Sequence, residues 1–181
     1  MMTQWIAPLV RGAAVVGLAL GLGSAHAQYI GGDLNLELDQ DRSVQFLAGD
    51  VTLRGRVGGD ISGLAGNVLI DADVTGSISL AAGDITVRGS VGRDVSVAGA
   101  NIEVLADVYG GVDVAGADIR VAGRVNRSLA AGGALVVIEP TAEIAGNMDI
   151  AASEIRMNGV GQGRFQGRAR TIYIEGTIAG N

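Results

Sequence analysis

From Val44 onward the apolar residues recur on a fixed frame of 17 positions, with turns beginning at Val44, Ile61, Ile78, Val95, Val112, Leu129, Met148 and Phe165. Apolar residues occupy the first, third, eighth, tenth and fourteenth places of a turn, as in Val44, Phe46, Val51, Leu53 and Val57, or Val95, Val97, Ile102, Val104 and Val108, with Gly standing in at positions 63, 161 and 167. Alternation with a period of two marks short strands, the Gly, Asp and Asn residues between them mark turns, and helical spacing is nowhere sustained. Each repeat is therefore expected to form a coil with three faces. One such coil cannot bury its own apolar side, but coils stacked about 4.8 Å apart pair every strand with its equivalent in the next turn.

Stacking on this frame predicts interior columns of equivalent residues. The eighth place gives Val51, Val68, Ile85, Ile102, Ile119, Val136, Ile155 and Ile172, all β-branched and suited to strands. The twelfth place gives Gly55, Ala72, Gly89, Ala106, Gly123, Gly159 and Gly176, small residues expected at a corner. The turn from Leu129 to Asn147 is two residues longer than the frame; Glu139-Pro140-Thr141-Ala142-Glu143, between Ile138 and Ile144, is expected to protrude as a loop.

Ahead of the repeat, Arg11 precedes an apolar run from Gly12 to Gly23 that ends in Ala25-His26-Ala27, the pattern of a secretory signal peptide. The chain accordingly divides into a leader over residues 1–27, a charged capping segment over 28–43 and the repeat domain over 44–181. Export places the mature protein in the periplasm or outside the cell. No later segment has the roughly 20 apolar residues a membrane-spanning helix needs, so no stable span is expected after cleavage.

Composition narrows the chemistry. Thirty Gly and only two Phe suit thin repeated layers, and the absence of Cys means that no disulfide holds the fold. There is no Lys, and removal of the leader also removes His26 and Trp5. Thirteen Arg, one of them Arg11 in the leader, stand against nineteen Asp and Glu, an acidic balance that argues against nucleic acid as a partner. The seventh place reads Asp50, Asn67, Asp84, Asn101, Asp118, and Asp73 falls beside Arg56 and Asp107 beside Arg124. Such alternation removes or reverses like-charge repulsion between neighbouring turns. The Gly-Gly-x-Gly-x-Asp nonapeptide of calcium-binding rolls is missing, so these rows are read as solvated ladders, with no metal and no cofactor expected.

The units Val57-Gly58-Gly59-Asp60-Ile61 and Val91-Gly92-Arg93-Asp94-Val95, with an echo at Ile30-Gly31-Gly32-Asp33-Leu34, resemble the repeat of the bactofilins, the polymer-forming cytoskeletal family. The resemblance covers Val44 to Asn181. It implies an all-β fold, a right-handed triangular, single-stranded parallel β-helix, which the spacing divides into eight turns of about 17 residues, polymerising end to end without nucleotide as a scaffold near the cell envelope. The export signal turns that expectation toward an envelope or extracellular role.

Function is expected to be structural. Repeat sequence runs on to the terminus, so the last turn should leave an apolar rung open to another copy through Phe165, Ile172, Ile174 and Ile178, giving a homo-oligomer through the C-terminal turn. An adhesin-like or polysaccharide-binding module of the cell envelope is the alternative. An enzyme is not expected: no mature His is available for acyl transfer, and nearly all turns lack the long loops from which a β-helix builds a catalytic cleft. No catalytic residue is assigned.

Overall fold

The computed structural model describes residues 26–180, so the leader expected over residues 1–27 lies outside them apart from its last two positions. The described chain is all β, a parallel solenoid in which a single 15-stranded sheet winds through stacked rungs. The frame inferred from apolar spacing is the frame of pairing: Ile85 lies opposite Ile102, and Ile102 opposite Ile119, within continuous parallel ladders. Val51, Val68 and Ile85 stack below them, and Val136, Ile155 and Ile172 above. Long strands such as Ser43–Val57 wind round the first two corners, whereas the final rung separates into Phe165–Arg168, Thr171–Ile174 and Thr177–Ile178, one piece for each face.

The stack has about nine rungs rather than eight. The segment expected as a cap over 28–43 is itself a rung, since His26–Gln40 pairs with Ser43–Val57 at the same 17-residue offset. Leu34 and Leu36 occupy the eighth and tenth places below Val51 and Leu53. The strand also takes in His26 and Ala27, opposite Ser43 and Val44, so cleavage after Ala27 would trim two paired residues from its start. The Gly31-Gly32-Asp33-Leu34 echo belongs to a different corner from its counterpart at Gly58-Gly59-Asp60-Ile61, because Asp33 pairs with Asp50 at the seventh place.

The interior is apolar apart from Gln40 of the first rung, whose amide Nε2 is enclosed without a hydrogen-bond partner among the described residues. Val44, Leu53, Ile61, Ile70, Ile78, Val87 and Val104 are fully enclosed, and no polar or charged residue is buried among the described residues. Every strand pairs laterally with a neighbouring rung, so the backbone donors and acceptors between rungs are met without interior polar groups. The twelfth place is tight at the two glycines with left-handed backbone, Gly55 (φ 100°) and Gly89 (φ 89°). A Cβ at Gly55 would run into the Leu38 carbonyl of the rung below, and one at Gly89 into that of Ala72. Alanine fits between them at Ala72, which is 4 % exposed.

At Asp60, Asp94 and Asn147 the corner closing the rung carries a bond that apolar periodicity does not show. Its last residue accepts the backbone N–H of the equivalent residue one rung on: Ser77 N–H donates to Asp60 Oδ1 at 2.8 Å, Gly111 N–H to Asp94 Oδ1 at 2.8 Å and Arg164 N–H to Asn147 Oδ1 at 3.1 Å. The Asp of the Val-Gly-x-Asp-aliphatic unit is thus a structural acceptor for a corner donor outside the strand ladders.

The two-residue insertion does not protrude as a loop. Ala142 N–H donates to the Glu139 carbonyl at 2.9 Å, closing a tight turn with Pro140 and Thr141 at its tip, and Thr141 Oγ1 bonds the Ala122 carbonyl at 3.0 Å. Proline suits the second position of such a turn because its φ is already set. Ala142 is fully buried, and the chain re-enters the ladder at Glu143, opposite Arg124.

Two outcomes test this packing. Ile102→Ala in the middle of the eighth-place column is expected to lower unfolding free energy by about 2–5 kcal/mol, against about 1 kcal/mol for Ile102→Val, measured by denaturant unfolding. Asp94→Ala removes one charged acceptor at an exposed corner, where water can replace it, so a loss of about 1 kcal/mol is expected.

Candidate self-association surface

The final rung is where the repeating environment stops. Phe165–Arg168 pairs with Met148–Ala151, Thr171–Ile174 with Glu154–Met157, and Thr177–Ile178 with Val160–Gly161; among the described residues none of the three strands has a partner on its other side. Phe165, Ile172, Ile174 and Ile178 all lie on this rung at places that are interior elsewhere. Their exposure depends on what stacks above them. Ile155 and Met157 in the rung below are sealed, whereas Ile172 is 39 % and Ile174 49 % exposed.

The four do not stand alike. Phe165 and Ile178 are partly buried against the core. The Phe165 ring lies across its own rung above Gly167, where an added Cβ would come 2.6 Å from the ring. In the preceding rung Gly161 likewise makes room for the Met148 side chain of the same rung. Large flexible or flat side chains thus take over from β-branched ones near this end, with glycine opposite them. Ile172 and Ile174 remain as the open pair, and Tyr173 between them, pointing to the outer side by strand alternation, is 53 % exposed. The frame singled out the inward residues, but Tyr173 could have been found only from the outward places of the same strand.

The other end differs. Leu34, Leu36 and Leu38 of the first rung are each 3 % exposed. Leu38 sits at the twelfth place, below Gly55, where later rungs carry only Gly or Ala.

The polar rows run along the outside, between the ends. Asn67 donates to Asp50 and Asn101 to Asp84, both at 2.6 Å, so amides separate the carboxylates as the alternation predicts. The ion pairs differ from those expected. Arg56 is in register with Asp73 but binds Asp39 of the preceding rung at 3.0 Å, while Asp73 accepts from Ser90 Oγ at 2.7 Å. Asp39 pushes the pKa of the Arg56 guanidinium above its ordinary value by hydrogen bonding and charge. Arg124 gives its backbone N–H to Asp107 and its guanidinium to Glu143 at 3.1 Å. Arg120 joins Glu103 and Glu139, each at 2.9 Å. An outward side chain has neighbours in the rungs below and above, and rung-to-rung register alone does not choose between them. Among the described residues no group of three or more His, Cys, Asp or Glu is placed to hold a metal ion, and no helix is long and apolar enough to cross a membrane.

Asn101→Asp would put three carboxylates in consecutive rungs, at positions 84, 101 and 118. It is expected to lower the melting temperature at low ionic strength, with much of the loss recovered at about 1 M salt, where screening shortens to about 3 Å.

Comparison with protein-family models, with curated proteins and with solved structures finds no match to this chain.

Proposed function

We propose that this chain is an exported structural protein that associates with itself through its terminal rung, as an envelope or extracellular scaffold. The observation that carries the reading is the contrast within one column: Ile155 is 0 % exposed and Ile172, directly above it, 39 %. A second copy brought end to end would continue the packing and meet the unpaired strand edges, a form of strand addition. The contrast between Ile172 and Ile174, 39 % and 49 % exposed, and the first-rung leucines, 3 % each, favours a two-fold pair joined C-terminal end to C-terminal end, with the same patch on both sides. The bactofilin-like repeat and the leader support polymer formation and export in this reading, which assigns the chain no catalytic role and no cofactor.

Envelope polysaccharide is the second partner class. Tyr109, 61 % exposed, lies in a shallow recess with Asp107, Arg124 and Asn126, an aromatic face ringed by hydrogen-bonding groups. Loss of glycan binding in Tyr109→Ala, on a chain whose association is unchanged, would favour that role.

Light scattering and electron microscopy of the purified protein are expected to show end-joined particles. Removing each isoleucine from water contributes roughly 2 kcal/mol, so Ile172→Asp with Ile174→Asp is expected to weaken end association by about a hundredfold or more. Rungs distant from this end should keep their strand signal in circular dichroism. End-joined particles that persist in the double variant would refute the terminal rung as the contact.

A further inference from the structure

One face of the solenoid differs from the other two. Its outward fourth place carries Ile30, Leu47 and Leu64 in three consecutive rungs, paired in register and 58 %, 53 % and 56 % exposed. In the next three rungs the same column continues as Ala81, Ala98 and Ala115. A trough of about 530 Å³ lies over this part of the face, lined by Leu64, Ser79, Ala81, Ser96, Ala98 and Ala115. A ridge three rungs long is thus followed on one line by a trough three rungs long, with the same spacing.

We propose that this face binds the same face of a second copy in an antiparallel side-by-side pair. A two-fold axis along the strands, between the rungs of Leu64 and Ala81, reverses rung order and keeps each place opposite itself. Ile30 then faces Ala115, Leu47 faces Ala98 and Leu64 faces Ala81, each contact occurring twice, which is the condition for a closed isologous interface. At the second place Gln28 faces Asp113, an amide opposite a carboxylate, and Ser62 faces Ser79.

Charge selects the occupant. Residues 28–32, 45–49, 62–66, 79–83, 96–100 and 113–117, which cross this face, include a single charged residue, Asp113, which the two-fold sets opposite Gln28, although the chain carries a net charge of −6. Here two acidic copies approach without setting like charges against each other. Six rungs about 4.8 Å apart, crossed by strands of about five residues, offer roughly 450 Å² per copy, below the roughly 800 Å² per partner of a standard stable complex. The side-by-side pair is therefore weak alone. It is geometrically independent of the terminal rung, and pairing through both surfaces would strengthen each through proximity.

A residue swap tests the geometry in the full chain. Leu47→Ala sets alanine against alanine and Ala98→Leu sets leucine against leucine, so each alone is expected to weaken side-by-side association at least tenfold in sedimentation equilibrium. The double variant restores ridge against trough and should return association to within about threefold of the unmodified chain. Leu47 is 53 % exposed and Ala98 is also exposed, so both changes leave the core intact, which an unchanged melting temperature would check. On the background of Ile172→Asp with Ile174→Asp, only the side-by-side contact is read. Failure of the swap to rescue, a chain that stays monomeric on that background at high micromolar concentration, or capture of the ridge by lipid vesicles instead of a second copy would overturn the proposal.

Discussion

Constant rung length is the constraint on which the rest of this molecule depends. Side chains alternate between the two faces of a strand, so a rung one residue longer or shorter, left uncorrected, would turn its following apolar places toward water. The 17-residue offset holds through seven rung-to-rung steps and admits one exception, the two residues at Pro140 and Thr141. That exception is confined within a hydrogen-bonded turn, so Ile138 remains opposite Val121 and Ile144 opposite Val125. With register kept, the interior needs no polar group to define it, because a slip would expose a whole row of Val, Ile and Leu.

The same constraint explains how much of the structure was legible. Strand places, interior columns and the position of the insertion followed from where Val44, Val51 and Val57 recur. The first rung was obscured because Ala27 and Gln40 stand where the next rung has Val44 and Val57, and because Gly31-Gly32-Asp33-Leu34 imitates the corner at Gly58-Gly59-Asp60-Ile61. Two corners use small residues, then an acid, then an aliphatic residue, for different reasons. At the seventh place Asp50 accepts a hydrogen bond from the Asn67 amide one rung on; at the seventeenth Asp60 accepts one from the Ser77 backbone N–H. Composition within one motif cannot separate these roles. Only the count of residues to the next apolar pair does.

Outward residues were less legible because the frame fixes their neighbours and not their choice among them. Arg56 stands between Asp39 and Asp73, and its bond to Asp39 follows from side-chain reach and competition from Ser90. These pairs are more than half exposed on the arginine side, where ion pairs contribute little to stability. Their arrangement keeps like charges from accumulating along a column. The terminal rung was legible in outline, since the interior places of Ile172 and Ile174 follow from periodicity. The folding of Phe165 over Gly167 depends on a ring turning across the end, which no spacing rule encodes.

In the proposed assembly each rod joins end to end only through its C-terminal rung, and joining two such ends makes a pair that cannot grow. Growth requires a second contact at which the two-fold does not coincide with the first. The side face provides such a contact in the proposed geometry, because its axis lies between the third and fourth of about nine rungs, toward the N-terminal end. Copies paired there overlap over six rungs, and each leaves its terminal rung projecting beyond the other, at opposite ends of the pair. The pair is then bivalent where the single rod is not, and two isologous contacts used in alternation generate an open chain. Polymer formation would thus follow from neither surface alone: the end supplies the stronger apolar contact, and the weaker face converts a closed pair into a linear assembly.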